Sequence, residues 1–170
     1  LNGYAMVRHG RDDLGQETEL AFLDVDETPI VPRDQQYARV AKTYDARGNP
    51  VRMAFFLPDG EPAQVSPLGG TTWTQTFDER GQVTELELRD HDDEPLEGCT
   101  RIRYAYDHRG RQVFHGCFDR SGVPVTVPNS SWHGTRAEWD ELNRPTVDTY
   151  VDVEGAPVLS SEGYAAVRNT

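Results

Sequence analysis

The chain has 170 residues and a formal net charge of -12 at pH 7, and 36% of its residues are hydrophobic. This length allows one ordinary domain with a core, and the 15 glycines and 11 prolines favour many short strands joined by tight turns. The negative charge repels phosphate backbones. Every apolar run is far shorter than the roughly 20 residues that a membrane-spanning helix needs. We therefore expect a strand-rich, acidic protein without nucleic-acid binding or membrane insertion.

One short turn pattern occurs five times along the chain. Its opening aspartates are spaced 33, 33, 29 and 33 residues apart, and a proline follows each of them 17 residues later. The aspartates are Asp12, Asp45, Asp78, Asp107 and Asp140, and the prolines are Pro29, Pro62, Pro95, Pro124 and Pro157. A fixed period indicates a repeat array, in which each unit buries its apolar face against its neighbours.

Each repeat is predicted to be a β-hairpin. In Asp45-Ala-Arg-Gly48 the aspartate caps a type I turn and the glycine suits the left-handed conformation that follows. The flanking segments, such as 37–44 and 51–57, have strand composition. A second turn lies twelve residues after each opening aspartate. In the first and third repeats it lacks glycine (Asp24–Glu27 and Asp90–Asp93), and we expect those two turns to be less regular.

Apolar residues recur at equivalent positions of the repeats, as a layered β core requires. One such column precedes the first turn and contains Tyr44, Phe77, Tyr106 and Trp139, with Arg11 in the first repeat. We expect Phe77, Tyr106 and Trp139 to stack. The sequence leaves two hairpin registers open. A three-residue loop pairs Asp45 with Asn49, whereas a longer loop pairs Asp45 with Pro50. A one-residue difference in pairing moves the side chains of one strand to the opposite face of the sheet.

These patterns predict an all-β fold: a solenoid or an elongated curled antiparallel sheet of about five β-hairpin repeats. The array occupies residues 1–170 as a single domain, with repeats at about 3–35, 36–68, 69–97, 98–130 and 131–162. A sixth repeat is expected at 163–170, because Gly3-Tyr4-Ala5 recurs as Gly163-Tyr164-Ala165. The chain is therefore interpreted as a piece of a longer protein, and the sequence does not indicate its compartment.

The stretch from Arg103 to Arg111 resembles the core of bacterial YD (RHS-type) repeats, Tyr-x-Tyr-Asp-x-x-Gly-Arg. The segments that begin at Tyr44 and Phe77 look like weaker copies. The whole unit, which has a longer period than typical YD repeats, is also similar to uncharacterised bacterial repeats found beside signalling or protease-like domains. This second resemblance implies an accessory module, and it implies no catalytic residues.

Four residues are candidates for a partner-binding surface: Arg47, Arg80, Arg109 and His133. The three arginines share one column at the tips of adjacent hairpins, where guanidinium groups suit bidentate binding of carboxylates. Each arginine also has an acidic turn residue nearby, so we interpret the column as a solvated stripe of local ion pairs, with binding of a partner's carboxylates as the other possibility. His133 replaces Ala or Thr of other repeats and lies near Ser130 and Ser131, but neither a Gly-x-Ser-x-Gly elbow nor a third orienting group accompanies them. We therefore expect no catalytic site and no enzyme.

Two further groups raise the question of metals and cross-links. The acidic second turns (Asp24 with Asp26, Asp90 with Asp92 and Asp93, Asp152 with Glu154) offer oxygen ligands for calcium, but their spacing is not that of an EF-hand. We interpret these aspartates as turn-capping residues. Cys99 and Cys117 are interpreted as buried free thiols, with a disulfide as the alternative. No cofactor is expected.

The sequence therefore predicts a non-catalytic repeat module: a protein-binding scaffold or sensor segment of a larger bacterial protein. Its partner is expected to be another protein or another domain of the same protein. The alternative is a cell-surface or secreted repeat array that binds glycans or calcium, which exposed aromatic columns would favour.

Overall fold

The computed structural model describes residues 3–65, 69–160 and 163–168. These residues form eleven β-strands and no helix. The strands are β1 Met6–Arg11, β2 Glu17–Leu23, β3 Arg39–Tyr44, β4 Pro50–Phe56, β5 Thr72–Phe77, β6 Val83–Arg89, β7 Arg101–Tyr106, β8 Gln112–Phe118, β9 Gly134–Trp139, β10 Pro145–Val151 and β11 Ala166–Arg168. Within the described ranges, no helix is long and apolar enough to cross a membrane.

The strands form one antiparallel sheet in which each strand is hydrogen-bonded to the next along the chain. Each predicted repeat contributes one hairpin, so the all-β hairpin fold is confirmed. The chain divides into two compact units: unit 1 comprises Leu1–Gln75 and Leu88–Pro95, and unit 2 comprises Thr76–Glu87 and Leu96–Thr170. The prediction that all repeats form one domain stays a prediction. β11 pairs with β10, so a strand follows the fifth hairpin within residues 163–170.

The first turn of each repeat is the shorter of the two loops that the sequence allows. In the hairpin of β3 and β4 the Asp45 N–H donates to the Asn49 carbonyl at 3.0 Å, and the Gly48 N–H donates to the Asp45 carbonyl at 3.0 Å. Gly48 has a φ of 86°, in the left-handed region that glycine adopts without steric cost. Pro50 does not pair with Asp45 but lies opposite Tyr44.

A β-bulge directly after this loop changes the register. Thr43 lies opposite Arg52, so Val51 is an extra residue on β4. Because the bulge advances the pairing by one residue, Val40 lies opposite Phe55 and both contribute to the same buried cluster. The same shift occurs in the hairpins of β1–β2, β7–β8 and β9–β10. The structure therefore has the short loop, but beyond the bulge its strands pair as the longer loop would require, with Thr43 opposite Arg52.

The five spaced prolines each form a β-bridge with the end of the preceding strand. The bridges are Leu23–Pro29, Phe56–Pro62, Arg89–Pro95, Phe118–Pro124 and Val151–Pro157. The residues that flank the proline make the hydrogen bonds of the bridge: in the first repeat the Asp24 N–H donates to Thr28 and the Ile30 N–H donates to Phe22. Proline fits this position because its missing N–H is not needed there. The 17-residue interval is therefore the distance from the first turn to this bridge.

The second turns without glycine keep the hydrogen bonds of the others, contrary to the expectation that they are less regular. Glu27 and Asp93 adopt φ values of 60° and 63°, and the turn-closing bonds from their N–H groups to Asp24 and Asp90 measure 3.3 Å. The seven turns with glycine at this position have closing bonds of 2.9–3.1 Å. Asn143, the third non-glycine residue at such a position, also gives 3.3 Å. The cost of a side chain there is a longer bond, not a different turn.

Residues eighteen positions apart face each other across the hairpins, and several of them, such as Phe55, are buried. In three hairpins they are aromatic pairs, with ring centroids 5.0 Å apart for Tyr4–Phe22, 5.0 Å for Tyr37–Phe55 and 5.3 Å for Trp132–Tyr150. In the fourth hairpin the same two positions are Cys99 and Cys117, which form a disulfide with a Cα–Cα distance of 5.3 Å. The interpretation of these cysteines as free thiols is therefore wrong, because the hairpin register brings the two columns within disulfide distance.

The column that precedes the first turn does not stack as expected. In the described part of the chain, the rings of Phe77, Tyr106 and Trp139 make no ring contact with one another. Instead, the Tyr106 hydroxyl donates to the Val83 carbonyl at 2.8 Å, and the Trp139 Nε1–H donates to the Gln112 carbonyl at 2.9 Å. Each side chain therefore joins its own repeat to the preceding one by a hydrogen bond.

Candidate functional site

The predicted arginine column lies on the first turns, and all three of its side chains are exposed. In unit 2, Arg80 Nη1 donates to the His108 carbonyl at 3.0 Å and Arg109 Nη1 donates to the Glu141 carbonyl at 3.3 Å. Each arginine therefore reaches the following first turn. Arg47 belongs to unit 1, where its backbone N–H donates to the Asp45 carboxylate.

The arginines on these turns differ in whether a carboxylate pairs with them. Arg111 Nη2 lies 2.6 Å from Asp107 Oδ2, and Arg144 Nε lies 2.7 Å from Asp140 Oδ2. Burial of the Asp107 carboxyl raises its pKa, but hydrogen bonds from the backbone and guanidinium of Arg111 outweigh this effect and hold the pKa at about 2. Hydrogen bonds from Arg144 lower the pKa of Asp140. These carboxylates are thus already engaged.

Arg80 and Arg109, by contrast, have no carboxylate within ion-pair distance in the described residues. The expected stripe of local ion pairs is therefore not seen for these two side chains in the described residues. Leu142 occupies the equivalent position of the next turn and is 73% exposed. We call Arg80, Arg109 and Leu142 the first-turn row of unit 2. It presents two guanidinium groups and one apolar side chain.

His133 is not part of this surface, because it is buried with 4% of its area exposed. Its Nδ1 lies 2.9 Å from the Val125 carbonyl oxygen, and its ring packs edge-on against Phe118 at 4.9 Å. A Cβ atom on Gly116 would lie 2.7 Å from His133 Nε2, so glycine at that position makes the room for the imidazole. The prediction that His133 contacts a partner is therefore wrong: the ring fills the space above Gly116.

The serines beside His133 also make structural hydrogen bonds. Ser130 Oγ donates to the Val127 carbonyl at 2.7 Å, and Ser131 Oγ donates to the Leu159 carbonyl at 2.7 Å. Neither hydroxyl is bonded to the imidazole. The group therefore lacks the contact between nucleophile and base that serine catalysis requires.

The aspartates that open the turns act as caps. In nine turns one carboxylate oxygen accepts two backbone N–H groups, at 2.8–3.0 Å. These aspartates are Asp12, Asp24, Asp45, Asp78, Asp90, Asp107, Asp119, Asp140 and Asp152. Asp90, His91 and Asp92 bring three ligand atoms within 4.8 Å of one another, in an acidic turn named above as a calcium alternative. Asp90 is occupied by capping there, which favours the interpretation as a turn residue.

A cavity on one face of unit 1 is a site that the sequence analysis missed. Its volume is about 560 Å³. It is lined by Leu20, Phe22, Asp34, Gln35, Gln36, Tyr37, Val40, Lys42, Met53, Phe55, Val65 and Trp73. Only the sheet register shows that Trp73, opposite Met53, extends the same face.

No protein-family model matches this chain, and no curated protein does. Among solved structures it is similar to the crystal structure of TcdB2-TccC3-TEV, with 14% sequence identity and a TM-score of 0.39. The match covers 88% of this chain and 8% of that one, so this chain spans less than a tenth of the structure it matches. A likeness this distant carries no conclusion about function. The all-β fold of repeated hairpins is given by the strands and their pairing. Membership of the YD family stays a prediction.

Proposed function

We propose that this chain is a non-catalytic repeat module, a protein-binding scaffold or sensor segment of a larger bacterial protein. Its partner is another protein or another domain of the same protein. The contact surface on this proposal is the first-turn row of unit 2. One observation carries the proposal: Arg80 and Arg109 are exposed, held in place and unpaired with any carboxylate of the described residues.

The hydrogen bonds to neighbouring turns prepare the two guanidinium groups for binding. Each bond uses one nitrogen and restricts the side chain, so a partner carboxylate meets a group that loses less conformational entropy. Guanidinium groups bind carboxylates through paired hydrogen bonds. Leu142 offers an apolar contact beside them. The row therefore suits a protein segment that combines acidic side chains with an apolar one.

Site-specific photo-crosslinking tests this proposal. A photoreactive phenylalanine analogue replaces Leu142, which is exposed beside the two guanidinium groups, in the chain within its parent protein and in its own bacterium. The control replaces Arg120, an exposed arginine of a second turn in the same unit that pairs with Glu97 at 3.4 Å. We expect one specific cross-linked protein or domain from position 142, and its loss when Arg80→Glu is added. Equal cross-linking from positions 142 and 120 would contradict the proposal.

A second candidate function is a cell-surface or secreted repeat array that binds glycans or calcium. The aromatic cavity of unit 1 favours the glycan form of this candidate, because it holds rings and unbonded polar side chains together. The calcium form has weaker support, since the turn aspartates are engaged by backbone N–H groups.

A further inference from the structure

We infer that the cavity of unit 1 binds a neutral, unbranched oligosaccharide of two or three sugar rings. The inference rests on the second candidate function alone, so its failure leaves the protein-binding proposal untouched. The cavity volume of about 560 Å³ suits a ligand of this size. Three features argue for a sugar: the aromatic rings among the lining residues, the polar rim and the absence of a free cation among those residues.

Aromatic rings line part of the cavity, beside the aliphatic side chains of Leu20, Val40, Met53 and Val65. The ring centroids of Tyr37 and Phe55 lie 5.0 Å apart, and those of Phe55 and Trp73 also lie 5.0 Å apart. Phe55 is buried at the centre of this series, whereas Tyr37 and Trp73 are half-buried on either side. Sugar rings have apolar C–H faces that pack on aromatic surfaces, and such surfaces contribute large contact areas in binding sites.

The rim of the cavity is polar. Asp34 and Gln36 are exposed, Gln35 is half-buried, and none of the three side chains makes a hydrogen bond within the described part of the chain. An amide side chain both donates and accepts hydrogen bonds, and a carboxylate accepts them. These are the groups that match sugar hydroxyls, each of which is both donor and acceptor. An apolar ligand would contact the apolar lining residues but would form no hydrogen bonds with Asp34, Gln35 and Gln36.

The charge of the lining residues argues for a neutral ligand. Lys42 is the cation among them, and its Nζ is paired with a carboxylate oxygen of Glu17. The hydrogen bond from Lys42, together with one from His9, lowers the pKa of Glu17, so the carboxylate stays ionised and keeps Lys42 engaged. Asp34 and the net charge of -12 repel anions. An acidic glycan is therefore disfavoured.

Unit 2 has no equivalent arrangement in its fourth hairpin. The positions of Tyr37 and Phe55 are occupied there by Cys99 and Cys117, whose disulfide replaces the ring pair. In the fifth hairpin Trp132 and Tyr150 restore a ring pair, at 5.3 Å. That pair does not line the unit 1 cavity, and it therefore provides a matched control for substitutions of Trp73.

The test is a titration of the protein with cellotriose, maltotriose and triacetylchitotriose, each followed by NMR of tryptophan indole and glutamine side-chain N–H signals. We expect at least one trisaccharide to shift the Trp73, Gln35 and Gln36 signals in a saturable way. Gln36→Ala should weaken that binding about tenfold, the effect of one or two hydrogen bonds. Trp73→Phe should weaken it by a similar factor, whereas Trp132→Phe should leave it unchanged.

Two results would overturn the inference. The first is the absence of saturable shifts at the unit 1 signals with all three trisaccharides. The second is binding that Gln36→Ala and Trp73→Phe leave unchanged, which would place the ligand elsewhere. As a further arm, the peptide acetyl-Leu-Phe-Leu-amide is titrated. Saturation of the same signals by this peptide, with the three sugars inert, would assign the cavity to an apolar protein segment and contradict the sugar.

Discussion

Cys99 and Cys117 form a disulfide across the same two columns in which Tyr37 and Phe55 place a pair of aromatic rings. In both hairpins a residue just before the first strand contacts a residue near the end of the second strand. The two residues are 18 positions apart in each case. The fourth repeat therefore substitutes a covalent bond for an aromatic contact. The cysteines are 4% and 3% exposed, so the cross-link is part of the core.

The first prediction concerns the Cys99–Cys117 disulfide. Replacing both cysteines by alanine should lower the free energy of unfolding by about 3 kcal/mol, since an 18-residue cross-link restricts the unfolded chain. Cys99→Tyr with Cys117→Phe should recover part of the loss, because the same columns accept a ring pair elsewhere. Urea unfolding of the three proteins measures the difference. Equal stability of the alanine and aromatic variants would show that the two columns are not equivalent.

The second prediction concerns Gly116 and His133. Gly116→Ala should lower the free energy of unfolding by about 1–3 kcal/mol, because the new Cβ would lie 2.7 Å from His133 Nε2 and 2.6 Å from Phe114 Cζ. His133→Ala introduces the residue that other repeats have at this position, as at Ala5 and Ala38. Combined with Gly116→Ala, it should relieve part of the clash. A double-mutant cycle by urea unfolding measures this coupling, and strict additivity would contradict it.

The third prediction concerns the left-handed residue of the first repeat. Glu27→Gly should raise the free energy of unfolding by about 0.5–1 kcal/mol, since glycine removes the steric cost of a φ of 60°. The lost ion pair with Arg8 is exposed and contributes little. Asp26→Gly in the same turn is the control and should be destabilising. Thermal unfolding of both variants checks the signs, and a loss of stability in Glu27→Gly would contradict the prediction.

The fourth prediction concerns acid. The pKa of Asp107 is about 2 in the folded protein, against about 3.9 in an unfolded chain. Because the folded value is the lower one, the ionised carboxylate stabilises the fold above the unfolded pKa, and this contribution is lost as the pH falls towards 2. Asp107→Asn keeps a capping oxygen but loses the charge. Its melting temperature should lie below that of the parent at neutral pH and approach it near pH 2. A pH-independent difference would contradict the role of the charge.

The fifth prediction concerns calcium. Millimolar calcium should leave the melting temperature nearly unchanged, because the capping oxygens of the acidic turns are engaged by the backbone. A ligand in hundredfold excess over its dissociation constant would stabilise the folded state by about 2.7 kcal/mol. Differential scanning calorimetry with calcium and with a chelator makes the comparison. A rise of the melting temperature that Asp92→Ala abolishes would establish a metal site at Asp90, His91 and Asp92.

Local chemistry made the hairpins predictable from the sequence. An aspartate whose carboxylate accepts two backbone N–H groups and a glycine with positive φ specify a turn without help from distant residues, as at Asp45 and Gly48. The recurrence of that turn, with a bridging proline such as Pro62 at a constant interval, then indicated the repeated all-β fold.

The tertiary structure decided what depends on contacts between strands. The bulge at Val51 sets the register, and a one-residue difference of this kind reverses which side chains share a face. The equivalent bulge between β7 and β8 sets the register that brings Cys99 to Cys117. His133 is buried only because Gly116, on a neighbouring strand, leaves space for its ring. The sequence by itself therefore determined the turns and the period, which are local. The strand pairing decided the disulfide, the buried histidine and the aromatic cavity, because each of them depends on residues from different strands.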